Sequence, residues 1–148
     1  MLFLVHHGDA VGPDVDPMRP LSVRGQVEVD MLAQKAAELG AKPDIIWHSG
    51  KLRARQTAEA YWKRCNPLAA FSASRGLQPT DPINWILDSL KGETKHIMLA
   101  GHFPHLPRVL GRLTTGHPDA DPVDFPLNGI VALEEADGRW VERWRLKP

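Results

Sequence analysis

The sequence predicts an α/β domain three layers deep, with helices on both faces of a mostly parallel central sheet and an antiparallel hairpin at the C-terminal margin. Three observations predict it. Apolar runs typical of buried strands recur at Leu2–Val5, Asp44–Trp47 and His96–Ala100. Segments of helical periodicity fill the intervals between them. Near the C-terminus, Asp137-Gly138 separates two further strand-like runs, Ile130–Leu133 and Trp140–Leu146, which is a hairpin signal. A chain of 148 residues can bury roughly 70% of its unfolded surface in one core. Residues 1–148 are therefore read as a single domain.

Taken in order, the first strand stops at His6-His7-Gly8-Asp9, and the stretch Gly8–Pro20, with three prolines and two glycines, reads as a loop. Ser22 is placed to cap a helix running to about Leu39. Its expected apolar stripe is Val23, Val27, Met31, Leu32, Ala36 and Leu39, with Gly40 as the stop and Gly25 as a weakness. A second helix is expected over Leu52–Arg64, ended by Asn66-Pro67. Asp81-Pro82 resembles an N-cap followed by a first-turn proline, opening a helix over Ile83–Leu90 that Gly92 closes. The third strand ends at Gly101-His102, and a fourth helix is expected after Pro107 as far as Leu113. In the last strand, alternation puts Trp140, Trp144 and Leu146 on one side and Arg143, Arg145 and Lys147 on the other.

Composition excludes several classes of function. Acidic and basic residues balance at 18 each, so no basic excess exists to release counterions from a polyanion, and nucleic acid is not an expected partner. No apolar stretch approaches the roughly 20 residues that span a bilayer, so no membrane partner is expected either, and no basic leader precedes the first apolar run. Cys65 is the single cysteine, which excludes an internal disulfide and fits a reducing compartment. The expected location is cytoplasmic, and the expected state a monomer or weak homo-oligomer.

Ligand crevices in parallel sheets lie beyond the carboxyl ends of the strands. Three strand ends deliver His7, the Ser49–Thr57 segment and His102 to that edge. Neutral imidazole is a good nucleophile near neutral pH, so His7 is suited to attack phosphorus, while Arg53 and a protonated His102 are suited to hold phosphoryl oxygens.

In these residues the chain resembles the histidine phosphatase superfamily, whose fold is phosphoglycerate mutase-like, and within it the small phosphohistidine phosphatases of the SixA type. The family carries Arg-His-Gly after its first strand, here His6-His7-Gly8, so His7 falls on the phosphorylated nucleophile. Its second signature, Ser-Pro-Leu-x-Arg-Ala-x-Gln-Thr-Ala, stands here as Ser49-Gly50-Lys51-Leu52-Arg53-Ala54-Arg55-Gln56-Thr57-Ala58, which puts Arg53 on the phosphate-binding arginine. The third, Gly-His after a buried strand, is Gly101-His102. Arg19-Pro20-Leu21-Ser22 resembles the subfamily's Arg-Pro-Leu-Thr. The resemblance implies a metal-independent phosphatase without cofactors that works through a phosphohistidine intermediate on His7. Its catalytic residues would be His7, His102 and Arg53, and its phosphate-binding residues His6, Gly8, Arg53, His102 and Arg19.

His6 departs from the pattern, since arginine is always charged and forked whereas imidazole is cationic only part of the time. If His6 helps when protonated while His7 attacks when neutral, the two make opposing demands near pH 6–7, and a narrow or shifted optimum is expected. On that reading His6→Arg raises turnover. For a general acid the sequence offers Asp81, which a helix cap explains as well. Imidazole, with a conjugate-acid pKa of about 6.5, leaves more readily than an alkoxide, so lack of a strong acid favours a phosphohistidine substrate on a protein. Two alternatives stand beside this reading: a phosphatase for a small phosphate ester, and a non-catalytic phosphate- or phosphoprotein-binding module. A metal site built from His6, His7, His102, His105 and Asp9 is disfavoured, because adjacent side chains on an extended segment diverge. Arg24 and Arg55 are read as solvated or paired charges, and Gln56 and Thr57 as helix packing and helix-start residues.

Overall fold

The computed structural model describes residues 1–117 and 121–148. Its elements are β1 (Leu2–His6), α1 (Val23–Glu38), β2 (Ile45–His48), α2 (Leu52–Cys65), β3 (Ala70–Ala73), α3 (Ile83–Leu90), β4 (Ile97–Gly101), α4 (His105–Thr115), β5 (Ile130–Ala136) and β6 (Arg139–Leu146). One six-stranded sheet has the order β3-β2-β4-β1-β5-β6. The first four strands in that order are mutually parallel, and β5 and β6 pair antiparallel at the margin. The layered α/β class and the terminal hairpin are as expected.

Strand period sorts the core into two layers. Phe3, Val5, Ile46, Met98 and Ala100 face one side, where α1 and α2 cover them with Val29, Leu32, Ala36, Ala58 and Tyr61. Leu2, Leu4, Ile97 and Leu99 face the other, against Ile86 of α3 and Leu106, Val109 and Leu110 of α4. Each fully buried aliphatic side chain contributes about 1.5–3 kcal/mol relative to exposure. All five residues of β1 and all five of β4 are buried. The register pairs His6 with Gly101 and His48 with Ala100, so the carboxyl ends of β1, β4 and β2 arrive together at one edge.

Several local expectations need correction. The helix capped by Ser22, whose side chain accepts from the Gly25 N–H, does run over Val23–Glu38, but its buried face is Gly25, Val29, Leu32, Ala33 and Ala36. Val23, Val27, Met31 and Leu39 are exposed. Gly25 is no weakness: a Cβ there would lie 2.0 Å from the Asp9 carbonyl oxygen, so only glycine lets the helix meet the first loop. Asp81 does not cap α3. Pro82 holds the cap position without a side-chain bond, and the Asp81 carboxylate instead accepts from the Gln78 N–H at 3.0 Å. Helix α4 starts before Pro107, which sits in its first turn, where its missing N–H has no intrahelical partner to lose.

Strand β3 escaped the sequence reading, because an exposed four-residue edge segment, Ala-Phe-Ser-Ala, carries almost no apolar pattern. The hairpin turns at Asp137 and Gly138, both with positive φ (53° and 77°), as a two-residue turn matched to strand twist requires. A register shift between Ala132 and Leu133 breaks the alternation of β6. Trp144 and Leu146 pack on the α1/α2 side and Trp140 on the α3/α4 side, so the three do not share a face as expected. Among the described residues no helix is long and apolar enough to cross a membrane.

Candidate active site

The edge where β1, β4 and β2 end collects three imidazoles and a guanidinium. His7 is half-buried just past β1, with its ring centroid 4.4 Å from that of His6 and 5.1 Å from that of His102. The two consecutive rings thus approach each other rather than diverge. Arg53, one residue into α2, acts electrostatically on all three rings.

The protonation pattern of His7 follows from one bond. Its Nδ1 lies 2.7 Å from the Gly8 carbonyl oxygen, which can only accept, so Nδ1 carries the hydrogen and Nε2 the lone pair. Burial and the nearby Arg53 and Arg19 lower its pKa, opposed by the Gly8 bond and by Asp9. The ring is a neutral base with a fixed orientation. Gly8 thus contributes its carbonyl. Its N–H, expected to serve the anion, instead donates to Thr57 Oγ1 at 3.0 Å. A Cβ on Gly8 would lie 2.4 Å from a Val29 methyl, so glycine also lets α1 close on the strand end.

Thr57 and Gln56 do more than pack their helix. The Thr57 hydroxyl donates to the Arg53 carbonyl at 2.8 Å while accepting from Gly8, which ties the first turn of α2 to the loop after His7. Gln56 Oε1 accepts from the Leu21 N–H at 2.7 Å, anchoring the far end of that loop. Asp9 is held by the Ser22 hydroxyl (2.6 Å) and Arg24 (3.1 Å). Arg19, with a positive φ of 47°, donates from Nε to the Val11 carbonyl and lies close enough to act on His7 and Arg53. Arg55 is an exposed partner of Glu59, as its spacing suggests.

His102 is 2% exposed, with Nε2 2.6 Å from Ser49 Oγ. The Lys51 N–H also donates to that oxygen. Its pKa is pushed down to about 3 by burial and by His7, Arg53, Lys51 and His6. The expectation of a protonated His102 is corrected to a neutral ring, because desolvation and surrounding positive charge both oppose the imidazolium. Two buried nitrogens at this edge, Arg53 Nε and His102 Nδ1, have no hydrogen-bond partner. Orphaned donors of this kind cost about 1–3 kcal/mol each when left unsatisfied, and they mark a place built for acceptor oxygens.

His6 is also corrected. It is 5% exposed, stacked on Phe103 at 4.0 Å and 10°, and its Nδ1 accepts from the Asn128 backbone N–H at 2.8 Å. Burial, His7 and Arg53 lower its pKa to about 3. It therefore does not titrate near pH 6–7, and the expected conflict with His7 does not arise. Asp81 is not among the charges acting on His7 or His102; it acts on His105 instead. Among the described residues no three His, Cys, Asp or Glu side chains converge on a metal-sized site.

Two residues that sequence reasoning missed complete the edge. Asn128 donates from Nδ2 to the His7 carbonyl at 2.9 Å as well as from its backbone to His6. Gln78 donates from Nε2 to the Ser49 carbonyl. An Asn-Gly turn signal at Asn128-Gly129 was visible; its contact with residues 121 positions away was not.

A parallel α/β sheet with a neutral imidazole, a guanidinium and a second imidazole at its carboxyl edge is the histidine phosphatase type of fold. Among solved structures the particular likeness is to SixA. The chain superposes on the protein histidine phosphatase SixA complexed with tungstate with a TM-score of 0.83, at 22% identity over 99% of this chain and 96% of that one. For the putative phosphohistidine phosphatase SixA from Agrobacterium tumefaciens the values are 0.73, 26%, 99% and 97%. A phosphoserine phosphatase mutant from Entamoeba histolytica, in complex with phosphoserine, gives 0.71 and 15% over 97% and 95%. No protein-family model matches the sequence, and no curated protein matches it. The chain has the SixA-type histidine phosphatase fold.

Proposed function

We propose that this protein is a metal-independent phosphatase that removes phosphate from phosphohistidine on a protein, through a phosphohistidine intermediate on His7. The observation that carries the reading is the pairing of a fixed lone pair with orphaned donors: His7 Nε2 is unprotonated, and Arg53 Nε and His102 Nδ1 are buried without partners beside it.

The substrate phosphoryl oxygens take hydrogen bonds from Arg53 and His102 Nδ1. The mechanism uses the tautomer in which the Ser49 hydroxyl, accepting from the Lys51 N–H, donates to His102 Nε2, 2.6 Å away, and the ring hydrogen sits on Nδ1. His7 Nε2 attacks phosphorus in line and the N–P bond to the substrate ring breaks; that ring, protonated from solvent on its other nitrogen, leaves as neutral imidazole. Water then attacks the phosphoenzyme, releasing phosphate and restoring neutral His7. Positive charge on Arg53 stabilises both in-line steps. Asp81 has no part, and the low basicity of an imidazole leaving group removes the need for it. Donors of this kind bind an anion rather than a metal cation, so a chelator should leave turnover unchanged. Cys65 is a free, half-buried thiol whose pKa burial raises to about 11, which suits a cytoplasmic setting.

Incubation with labelled phosphoramidate, followed by denaturation at alkaline pH, should yield acid-labile label on wild-type protein and none on His7→Ala. Hydrolysis of a phosphohistidine peptide should outrun that of sugar phosphates. Label that survives in His7→Ala would sink the mechanism, and preferential hydrolysis of an ester would move the substrate to a small phosphate ester.

A further inference from the structure

Asn128 lies on the turn Pro126–Gly129, closed by a Gly129 N–H to Pro126 carbonyl bond of 3.0 Å, and takes a φ of 57°. Asparagine tolerates this left-handed conformation, and a turn with positive φ at its third residue asks for Gly or Asn. The turn grips the end of β1 at three points. The Gly129 carbonyl accepts from the His6 N–H at 2.9 Å, the Asn128 N–H donates to His6 Nδ1 at 2.8 Å, and Asn128 Nδ2 donates to the His7 carbonyl at 2.9 Å.

The middle bond has a chemical consequence. A backbone N–H can only donate, so His6 Nδ1 must be the unprotonated nitrogen and the ring hydrogen must sit on Nε2. Among the described residues nothing hydrogen-bonds His6 Nε2, yet it is not one of the buried partnerless nitrogens; it reaches open space at the site edge. Phe103 stacks on the ring and Phe125 backs Phe103 edge-on at 5.6 Å, so the ring cannot turn freely.

Resting on the phosphatase reading, we propose that His6 binds the phosphoryl group as a permanently neutral donor through Nε2–H, and that Asn128 is the positioning residue that fixes this tautomer. A position that would otherwise hold a charged fork here supplies one uncharged hydrogen bond. Arg53, with Arg19 and Lys51 around it, then provides the positive charge acting on the cluster. The titratable and charged groups facing His6 are His7 from its own segment, Arg53 from α2 and His102 after β4, and the Asn128 turn brings no charge. Burial, His7 and Arg53 all disfavour a second cation at His6.

Two isosteric substitutions separate the two ring nitrogens. His6→Asn places an amide where Nδ1 stands and so keeps an acceptor for Asn128, but loses the Nε2-like donor. His6→Gln reaches the Nε2 position and leaves the Asn128 N–H without an acceptor. The probe is inorganic phosphate, titrated by calorimetry, with thermal melts of the same proteins. His6→Asn should keep its melting temperature and bind phosphate about tenfold more weakly. His6→Gln should bind within about threefold of wild type and melt lower. A purely structural His6 would move both readouts together, and that result, or wild-type affinity in His6→Asn, overturns the proposal. Ring-nitrogen NMR of wild type should show Nε2 protonated and Nδ1 bare from pH 5 to 8; a hydrogen on Nδ1 overturns it too. Wild type that binds no phosphate does the same. These readouts need no turnover, so absent His7 phosphorylation would sink the enzymatic reading and leave the His6 tautomer standing.

Discussion

Polar groups at the carboxyl edge of the parallel strands are buried and few, whereas those on the β5–β6 hairpin are exposed and pair with one another. Ser49, Thr57, His6 and His102 are buried and make hydrogen bonds of 2.6–3.3 Å to backbone or to each other. Arg145, by contrast, meets Asp124 at 2.9 Å and Glu142 at 2.8 Å in the open, and Arg143 approaches Glu134 only to 3.8 Å. A formal net charge of zero hides this difference. What an individual charge or donor contributes depends on how much water it has lost, not on how many it is counted among.

Breaking the comparison at its strongest point means removing the proposed nucleophile. His7→Ala should lower phosphohistidine hydrolysis by about a thousandfold or more while leaving the melting temperature nearly unchanged, because His7 is only half-buried. Steady-state assay beside a thermal melt checks both. Arg53→Lys comes next. A single ammonium cannot reproduce a planar guanidinium, so kcat/KM should fall about 10- to 100-fold. A mutant within threefold of wild type would remove Arg53 from the oxygen-binding set.

Acid should dissolve the buried edge before the hairpin. His6 and His102 titrate at about 3 when folded against 6.5 when free. Their neutral forms therefore contribute stability that is complete above pH 6.5 and is lost as pH falls toward 3. Each adds a slope of up to about 1.4 kcal/mol per pH unit across that window. Urea melts at pH 7, 6, 5 and 4 should show a steep decline that His6→Asn makes shallower.

Smaller effects sharpen the contrast. Thr57→Val leaves the Gly8 N–H without an acceptor and should cost about 1–3 kcal/mol of unfolding free energy. It should slow turnover as well, since the same hydroxyl joins Arg53's turn to the His7 loop. Arg145→Ala on the hairpin should cost no more than about 1 kcal/mol, and that only at low salt. A loss as large as that of Thr57→Val would show that the hairpin pairs are not the solvated contacts they resemble.

Much of the fold was legible because its signals are local. Leu2–Val5 and Ile97–Ala100 read as buried strands from composition alone, and Asp137-Gly138 marked its hairpin because few residues tolerate two successive positive φ values. The α1 stripe was half right: Leu32 and Ala36 are buried as expected, but Val23, Val27 and Met31 offered an apolar row as good as the true one, and only contact with α2 and the sheet selects Gly25, Val29 and Ala33. At the site, His7, Arg53 and His102 stood out by type and position at strand ends. Asn128 did not, since a turn asparagine in sequence carries no sign of what it will touch.

By itself the sequence determined the run of strands and helices apart from β3, the edge where they end and the residue types that meet there, because periodicity, turn chemistry and the crevice rule act over short stretches or follow from strand direction. Only the tertiary structure decided that Trp140 and Trp144 face opposite sides, that Gly25 is a contact rather than a flaw, and which ring nitrogen of His6 and of His7 bears hydrogen. Those outcomes depend on partners distant in the chain, a strand register, a loop carbonyl or a turn N–H, and a proton's place on a ring is settled by the group across from it.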